Sequence, residues 1–266
     1  MRALWIYALA YLVFLYLPIL LLPLFAFNDS TIIAFPLQGF TLGWFRELGQ
    51  VEALHAALRN SLFIAVITAA LSTLFGLIAA RAGQVAFPGR GPIFGLLMLP
   101  LVLPEIIVAV SLLVVAVQLL GLSTSSFTVI AAHTLISTPF SIAILNGAFS
   151  GLDPSLEEAA RDLGENRLSA FFKVTFPLVA PGLIASFLIA FTISLDEFII
   201  AFFLTGNDPT LPVYIWSLLR FPARLPVVMA LGTLLVVASI ILLTLAEIAR
   251  RRSARRLGQT DSGGFL

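Results

Sequence analysis

Apolar runs, each longer than a soluble core needs, alternate with short polar stretches along this chain. A helix that crosses a bilayer needs about 20 mostly apolar residues, because roughly 30 Å of hydrocarbon is covered at 1.5 Å per residue. Six stretches meet that length: 4–27, 58–80, 93–119, 127–149, 178–203 and 227–249. None alternates strictly between apolar and polar positions, which argues against a membrane barrel. The first stretch is too long for the apolar core of a signal peptide. It has a single N-terminal Arg and no clear small-x-small site, and reads as a retained span. The pattern predicts an all-α membrane protein with six transmembrane helices.

Composition agrees and adds an orientation. The chain of 266 residues is 60% hydrophobic and only 11% charged, against about 25% charged in a soluble domain. That leaves too little polar surface to face water alone, so lipid must solvate most of it. There is no Cys, which removes disulfide and thiolate-metal chemistry, and a net charge of +1 argues against nucleic acid as partner. With the N-terminus inside, eleven basic residues fall on the inner side: Arg2, Arg81, Arg90, Arg161, Arg167, Lys173 and the tail arginines 250, 251, 252, 255 and 256. Only Arg46, Arg59, Arg220 and Arg224 fall outside, which places both termini inside. The basic tail, 250–266, supplies five of those eleven; without it the count is six to four.

The inner loop at about 150–177 holds five acids and three bases. Asp153 followed by Pro154 is a helix start, an N-cap and then a proline whose missing N–H costs nothing there. Glu157 and Glu158 suit the positive end of the helix dipole, Glu157 and Arg161 are spaced for an i,i+4 pair, and Gly164 can end the helix in a left-handed conformation. A second short helical run is expected over 167–175, before Pro177. A charge run of this kind is most simply a solvated loop helix. The spacing, however, is specific. Glu158-Ala159-Ala160, three residues, Gly164, nine residues, Val174, one residue, Phe176-Pro177 resembles the cytoplasmic signature of binding-protein-dependent ABC importer permeases. The family carries Ile and Leu where Val174 and Phe176 stand.

The resemblance implies a single permease domain over 1–266 with the type I ABC importer fold, in a bacterial inner membrane. Glu158, Ala159, Ala160, Gly164 and Pro177 would belong to a short coupling helix seated in a separate ATPase subunit. It also implies a second homologous permease, an ATPase dimer and a periplasmic substrate-binding protein. No cofactor is expected on this chain, with ATP and Mg on the partner ATPase. The chain itself has no Gly-rich loop ending in Gly-Lys-Ser or Gly-Lys-Thr.

Four ionisable side chains sit well within the apolar stretches: Glu105, His133, Asp196 and Glu197. A carboxylate at a helix centre costs roughly 2.5–3.5 kcal/mol, so the three acids together cost on the order of 8–10 kcal/mol. At 1.5 Å per residue in outward-running helices, all three fall between the midplane and the outer half. One reading makes them caps of broken helices or partners of Ser111, Thr192 and Ser194. The other makes them a pathway for a positively charged substrate. His133 reads as a hydrogen-bonded packing residue rather than a proton relay.

Ser194-Leu195-Asp196-Glu197-Phe198, Thr205-Gly206, 211–217, Pro104-Glu105-Ile106, and Asn28 with Gly39-Phe40-Thr41 resemble the spermidine/putrescine permease subfamily, whose cargo is polyamine. Another small solute, such as an amino-acid derivative or opine, is the alternative cargo, and an ion-gradient-driven carrier the alternative mechanism. No His-Glu-x-x-His run exists, only one Asp lies in a span, and no Ser pairs with His133 as a nucleophile would. A transport subunit, not an enzyme, is the expectation.

Overall fold

A computed structural model describes residues 2–153 and 155–256. Pro154, the expected first helical residue of the inner loop, and 257–266, the end of the tail, lie outside them. In chain order the helices are α1 Arg2–Ala26, α2 Gly43–Leu48, α3 Glu52–Gly83, α4 Arg90–Met98, α5 Glu105–Val114 and α6 Ser126–Ser150. There follow α7 Ser155–Asp162, α8 Arg167–Ala170, α9 Phe176–Asp196, α10 Ile199–Leu204, α11 Leu211–Leu218 and α12 Leu225–Arg256. Among the described residues there is no strand, only one isolated bridge between Asn28 and Phe40.

Among the described residues, four continuous helices are long and apolar enough to cross a membrane: Leu4–Ala26, Glu52–Gly83, Ser126–Ser150 and Arg167–Asp196. Two expected spans are not continuous. The stretch 93–119 is a pair, Arg90–Leu101 and Glu105–Leu119, bent by 103°. Pro104 is the hinge. Its backbone is extended (ψ 129°), and proline has no N–H to continue a helix through that point. The stretch 178–203 breaks after Asp196, where Glu197 turns extended before α10. At its other end α9 starts earlier than expected. The run 167–175 does not stop before Pro177 but passes through a π-helical turn, Phe171–Thr175, into α9. Such a turn shifts the hydrogen-bond register, and the proline sits in the first turn after it.

Packing divides the chain into two units, Glu52–Tyr214 and the pair of segments Met1–Val51 and Ile215–Leu266. In the first unit α3, α6 and α9 pack on one another. Their contact faces are built of small residues: Ala65, Ala69, Ser72, Gly76 and Ala80 on α3, Ser137 and Ser141 on α6, Ser186, Ala190 and Ser194 on α9, all buried. Lipid tails are as apolar as leucine, so helix association in a bilayer relies on close backbone approach and hydrogen bonds, which small residues allow.

At Gly76 the backbones of α3 and α6 approach closely. A Cβ there would lie 2.6 Å from Ser141 Cβ. Gly76→Val is expected to cost about 1–3 kcal/mol by overpacking. Thermal unfolding of purified protein checks this, with Gly147→Ala as control, since a Cβ at Gly147 meets nothing within 4 Å.

In the second unit α12 packs on α1 and α2, with Gly232 against Leu22. The segment after α1 is knitted to itself. Thr41 N–H donates to Phe27 O, Gln38 N–H to Asn28 Oδ1, and Trp44 Nε1 to Asn28 O (2.9 Å each). Phe27 meanwhile stacks on Phe40 and meets Phe45 at a tilt. This gives Asn28 and Gly39-Phe40-Thr41 a local structural job.

Candidate functional site

The loop at about 150–177 is built around α7. Asp153 Oδ1 accepts the Ser155 N–H at 2.9 Å, and that bond holds its carboxyl below the usual carboxylate range. Glu157 and Glu158 stand in the first turn, where the helix dipole favours them. At the other end Gly164 has φ +93°. Glu165 N–H donates to Ala160 O and Gly164 N–H to Arg161 O, the 6→1 and 5→2 pair of a Schellman C-cap. Beyond the cap, Glu165 accepts Ser169 Oγ and Lys173 Nζ. The Lys173 bond, then the Ser169 bond, lowers its pKa. Carboxylates stabilised in this way contribute above their unfolded pKa and lose the contribution only as pH falls through the lower folded value, so the loop keeps its charge pattern at neutral pH.

Glu157 does not pair with Arg161 as its spacing suggests. Its carboxylate takes Arg81 Nη2, from the last turn of α3, at 2.6 and 2.8 Å, and Thr175 Oγ1 at 3.0 Å. Two strong partners from other helices displace an i,i+4 pair worth only about 0.3–0.5 kcal/mol. What remains outward is Glu158, Ala159 and Gly164, all exposed, with Ala160 half-buried. Beside them Leu163 is 88% exposed, Leu168 72% and Phe172 60%. These three apolar side chains were not singled out from the sequence; Leu163 next to the capping glycine is the one signal that points to them. Pro177 stands exposed in the first turn of α9, two residues after Thr175.

The three acids of the apolar stretches gather at the two helix breaks. Glu105 opens α5, exposed, immediately after the Pro104 hinge. Asp196 ends α9 and is exposed, while Glu197 is buried and accepts the Ile200 N–H at 2.8 Å, capping α10. Because α5 packs on α10, Glu105 comes within electrostatic reach of Glu197. Ser194 serves none of them; against the expectation that no Ser pairs with His133, its hydroxyl meets Nδ1 of buried His133 at 2.8 Å, tying α9 to α6 as the packing reading of His133 has it. Among the described residues, the ion pairs Arg81–Glu157, Lys173–Glu165 and Arg224–Glu47 leave all three acids out.

Glu197→Gln keeps an acceptor for the Ile200 N–H and is expected to leave stability unchanged. Glu197→Leu removes the cap and is expected to cost about 1 kcal/mol, read as a lower unfolding temperature.

The profile of the family described as "binding-protein-dependent transport system inner membrane component" matches residues 72–259, a stretch that contains α7 and all three acids. The chain belongs to this family. It is thus an inner-membrane permease subunit of an ABC importer, a transport component rather than an enzyme. A spermidine/putrescine transport system permease protein of Shigella flexneri is 31% identical to this permease over 247 residues, 92% of each chain. A putrescine transport system permease protein of Escherichia coli (strain K12) is 34% identical over 232 residues, covering 84% of the permease and 81% of the relative. Among solved structures, a bacterial alginate ABC transporter in complex with an alginate pentasaccharide-bound periplasmic protein shares the fold. Its TM-score is 0.73 at 20% identity, over 97% of the permease and 94% of that chain.

Proposed function

We propose that this permease forms half of a translocation pathway for polyamines such as spermidine or putrescine, with a second homologous permease forming the other half. The observation that carries the reading is the pair of exposed carboxylates, Glu105 and Asp196, at adjacent helix breaks with no basic side chain among the described residues paired to them. In a medium that penalises isolated charge, such groups await a cation. Glu197 contributes charge to the same place while its oxygen holds α10. The names of the two permease relatives point the same way, whereas the alginate transporter shares only the fold and says nothing of cargo.

In this reading the chain works as one permease domain with six spans, counting the bent pair as one and α12 as the last, and both termini inside. Glu158, Ala159, Ala160 and Gly164 dock α7 into an ATPase subunit, with the exposed Leu163 as an apolar anchor beside them. Pro177, exposed where α9 begins, belongs to the same coupling segment. ATP and Mg stay on the ATPase dimer. Closure of the ATPases on ATP moves α7 and opens the pathway outward to a loaded periplasmic binding protein; hydrolysis returns it inward.

Competition tests the cargo. Uptake of labelled spermidine by cells carrying the whole transporter is expected to be suppressed by putrescine and unaffected by an opine or a neutral amino-acid derivative. Suppression by the opine alone contradicts the polyamine reading.

A further inference from the structure

α7 is held in place in an unusual way. None of its residues is buried, so apolar packing does not fix it on the helices beneath. A single carboxylate does. Glu157 receives Arg81 Nη2 on both oxygens and Thr175 Oγ1 on one, and the Arg81 guanidinium also lies 5.7 Å over the Phe171 ring. One side chain of α7 is thereby bonded to the end of α3 and to the π-helical turn that runs into α9. Beside it lies a cavity of about 290 Å³, lined by Arg81, Glu157, Glu158, Arg161 and Thr175 among others; α7 borders open space there rather than packed side chains.

The far ends of the two clamped helices meet the pathway. From Thr175 the helix continues to Asp196, about 30 Å away at 1.5 Å per residue. From Arg81, α3 runs back a similar distance to Asn60 and Ser61. Asn60 Nδ2 donates to Asp208 O at 2.7 Å and Ser61 Oγ accepts the Leu211 N–H at 2.7 Å, gripping the segment that follows α10.

We infer that Arg81 and Glu157 are a positioning pair that makes α7 move as one body with α3 and α9, so that a push on α7 reaches both helix breaks where the acids sit. The inference rests on α7 being the ATPase-docking helix. Geometry adds a specific expectation. Only one guanidinium nitrogen donates to Glu157, so a lysine ammonium replaces it, although arginine is ordinarily the better partner of a carboxylate.

The test uses the assembled transporter in proteoliposomes with its binding protein and ATPase. Ala160→Cys, in a chain that otherwise has no Cys, reports docking by cross-linking to a cysteine placed in the ATPase. Substrate imported per ATP hydrolysed reports transmission. With the cross-link retained, Arg81→Gln and Glu157→Gln are expected to lower that ratio about fivefold or more, the range of a coupling free energy of 1 kcal/mol upward. Arg81→Lys is expected to stay within about twofold of the parent on the same scale. An unchanged ratio in both glutamine variants, or loss of the cross-link in them, overturns the clamp. Absence of the cross-link in the Ala160→Cys parent overturns the docking reading beneath it.

Discussion

Gly164→Pro is expected to abolish coupled uptake while leaving the membrane helices folded. Three effects act at that position. The native φ of +93° is closed to proline, whose ring holds φ near −65°. The Gly164 N–H that bonds Arg161 O disappears, and with it half of the Schellman cap that turns the chain back after α7. The remaining bond, Glu165 N–H to Ala160 O, needs the same turn. Since 1.4 kcal/mol is a factor of ten and a left-handed backbone alone costs an L-residue roughly 1–2 kcal/mol, a loss of about tenfold or more follows for proline.

A graded series separates conformation from bulk, because a Cβ at Gly164 meets nothing within 4 Å. Asn tolerates the left-handed region and is expected to retain most uptake, Ala less, and Pro least. An Ala variant better than Asn would mean that the turn is not what the position requires. The same assay reads whether loaded binding protein still stimulates the ATPase, and in the proline variant that stimulation is expected to vanish.

The second large effect is expected at Asp196. Asp196→Asn preserves size and removes charge from an exposed carboxylate at the end of α9. An ammonium about 4 Å away gains roughly 4 kcal/mol at an effective dielectric of 20, and solvent screening reduces this to about a quarter to a half. Uptake of a polycation should then fall about tenfold with no change in assembly. Adding Glu197→Gln should lower it further without unfolding α10, since glutamine still accepts the Ile200 N–H. Glu197→Leu is unsuitable for this purpose because it confounds charge with the cap. Wild-type uptake in the Asp196→Asn, Glu197→Gln double variant sinks the cation pathway.

Three continuous spans, Leu4–Ala26, Glu52–Gly83 and Ser126–Ser150, and the C-terminal end of the loop helix were legible from residue pattern, since long apolar runs and capping residues are local signals. The broken spans were not. Hydropathy over 93–119 and 178–203 records solvation by lipid, not continuity of backbone, and the same apolar residues serve a straight helix or a bent pair. Pro104 and the extended Glu197 mark the breaks. The double reading of the acids is also resolved unevenly. Glu197 does cap a broken helix, whereas Asp196 and Glu105 do not use the nearby hydroxyls, and Ser194 turns to His133 instead. Glu157 shows the limit of spacing rules most directly. Its neighbour four residues on is a suitable cation, yet its partner comes from 76 residues away, a pairing only tertiary structure reveals. The exposed Leu163, Leu168 and Phe172 were hidden for the same reason, because their sequence context does not say which way they face.

The central claim is that a polyamine crosses through this permease on energy delivered to α7 by a separate ATPase. Proteoliposomes holding the complete transporter, with loaded binding protein outside and ATP enclosed, test it in one measurement of labelled spermidine accumulation. The account predicts accumulation that requires enclosed ATP, persists when proton and sodium gradients are collapsed, and fails with Gly164→Pro. Accumulation driven by an imposed proton or sodium gradient in the absence of ATP contradicts it.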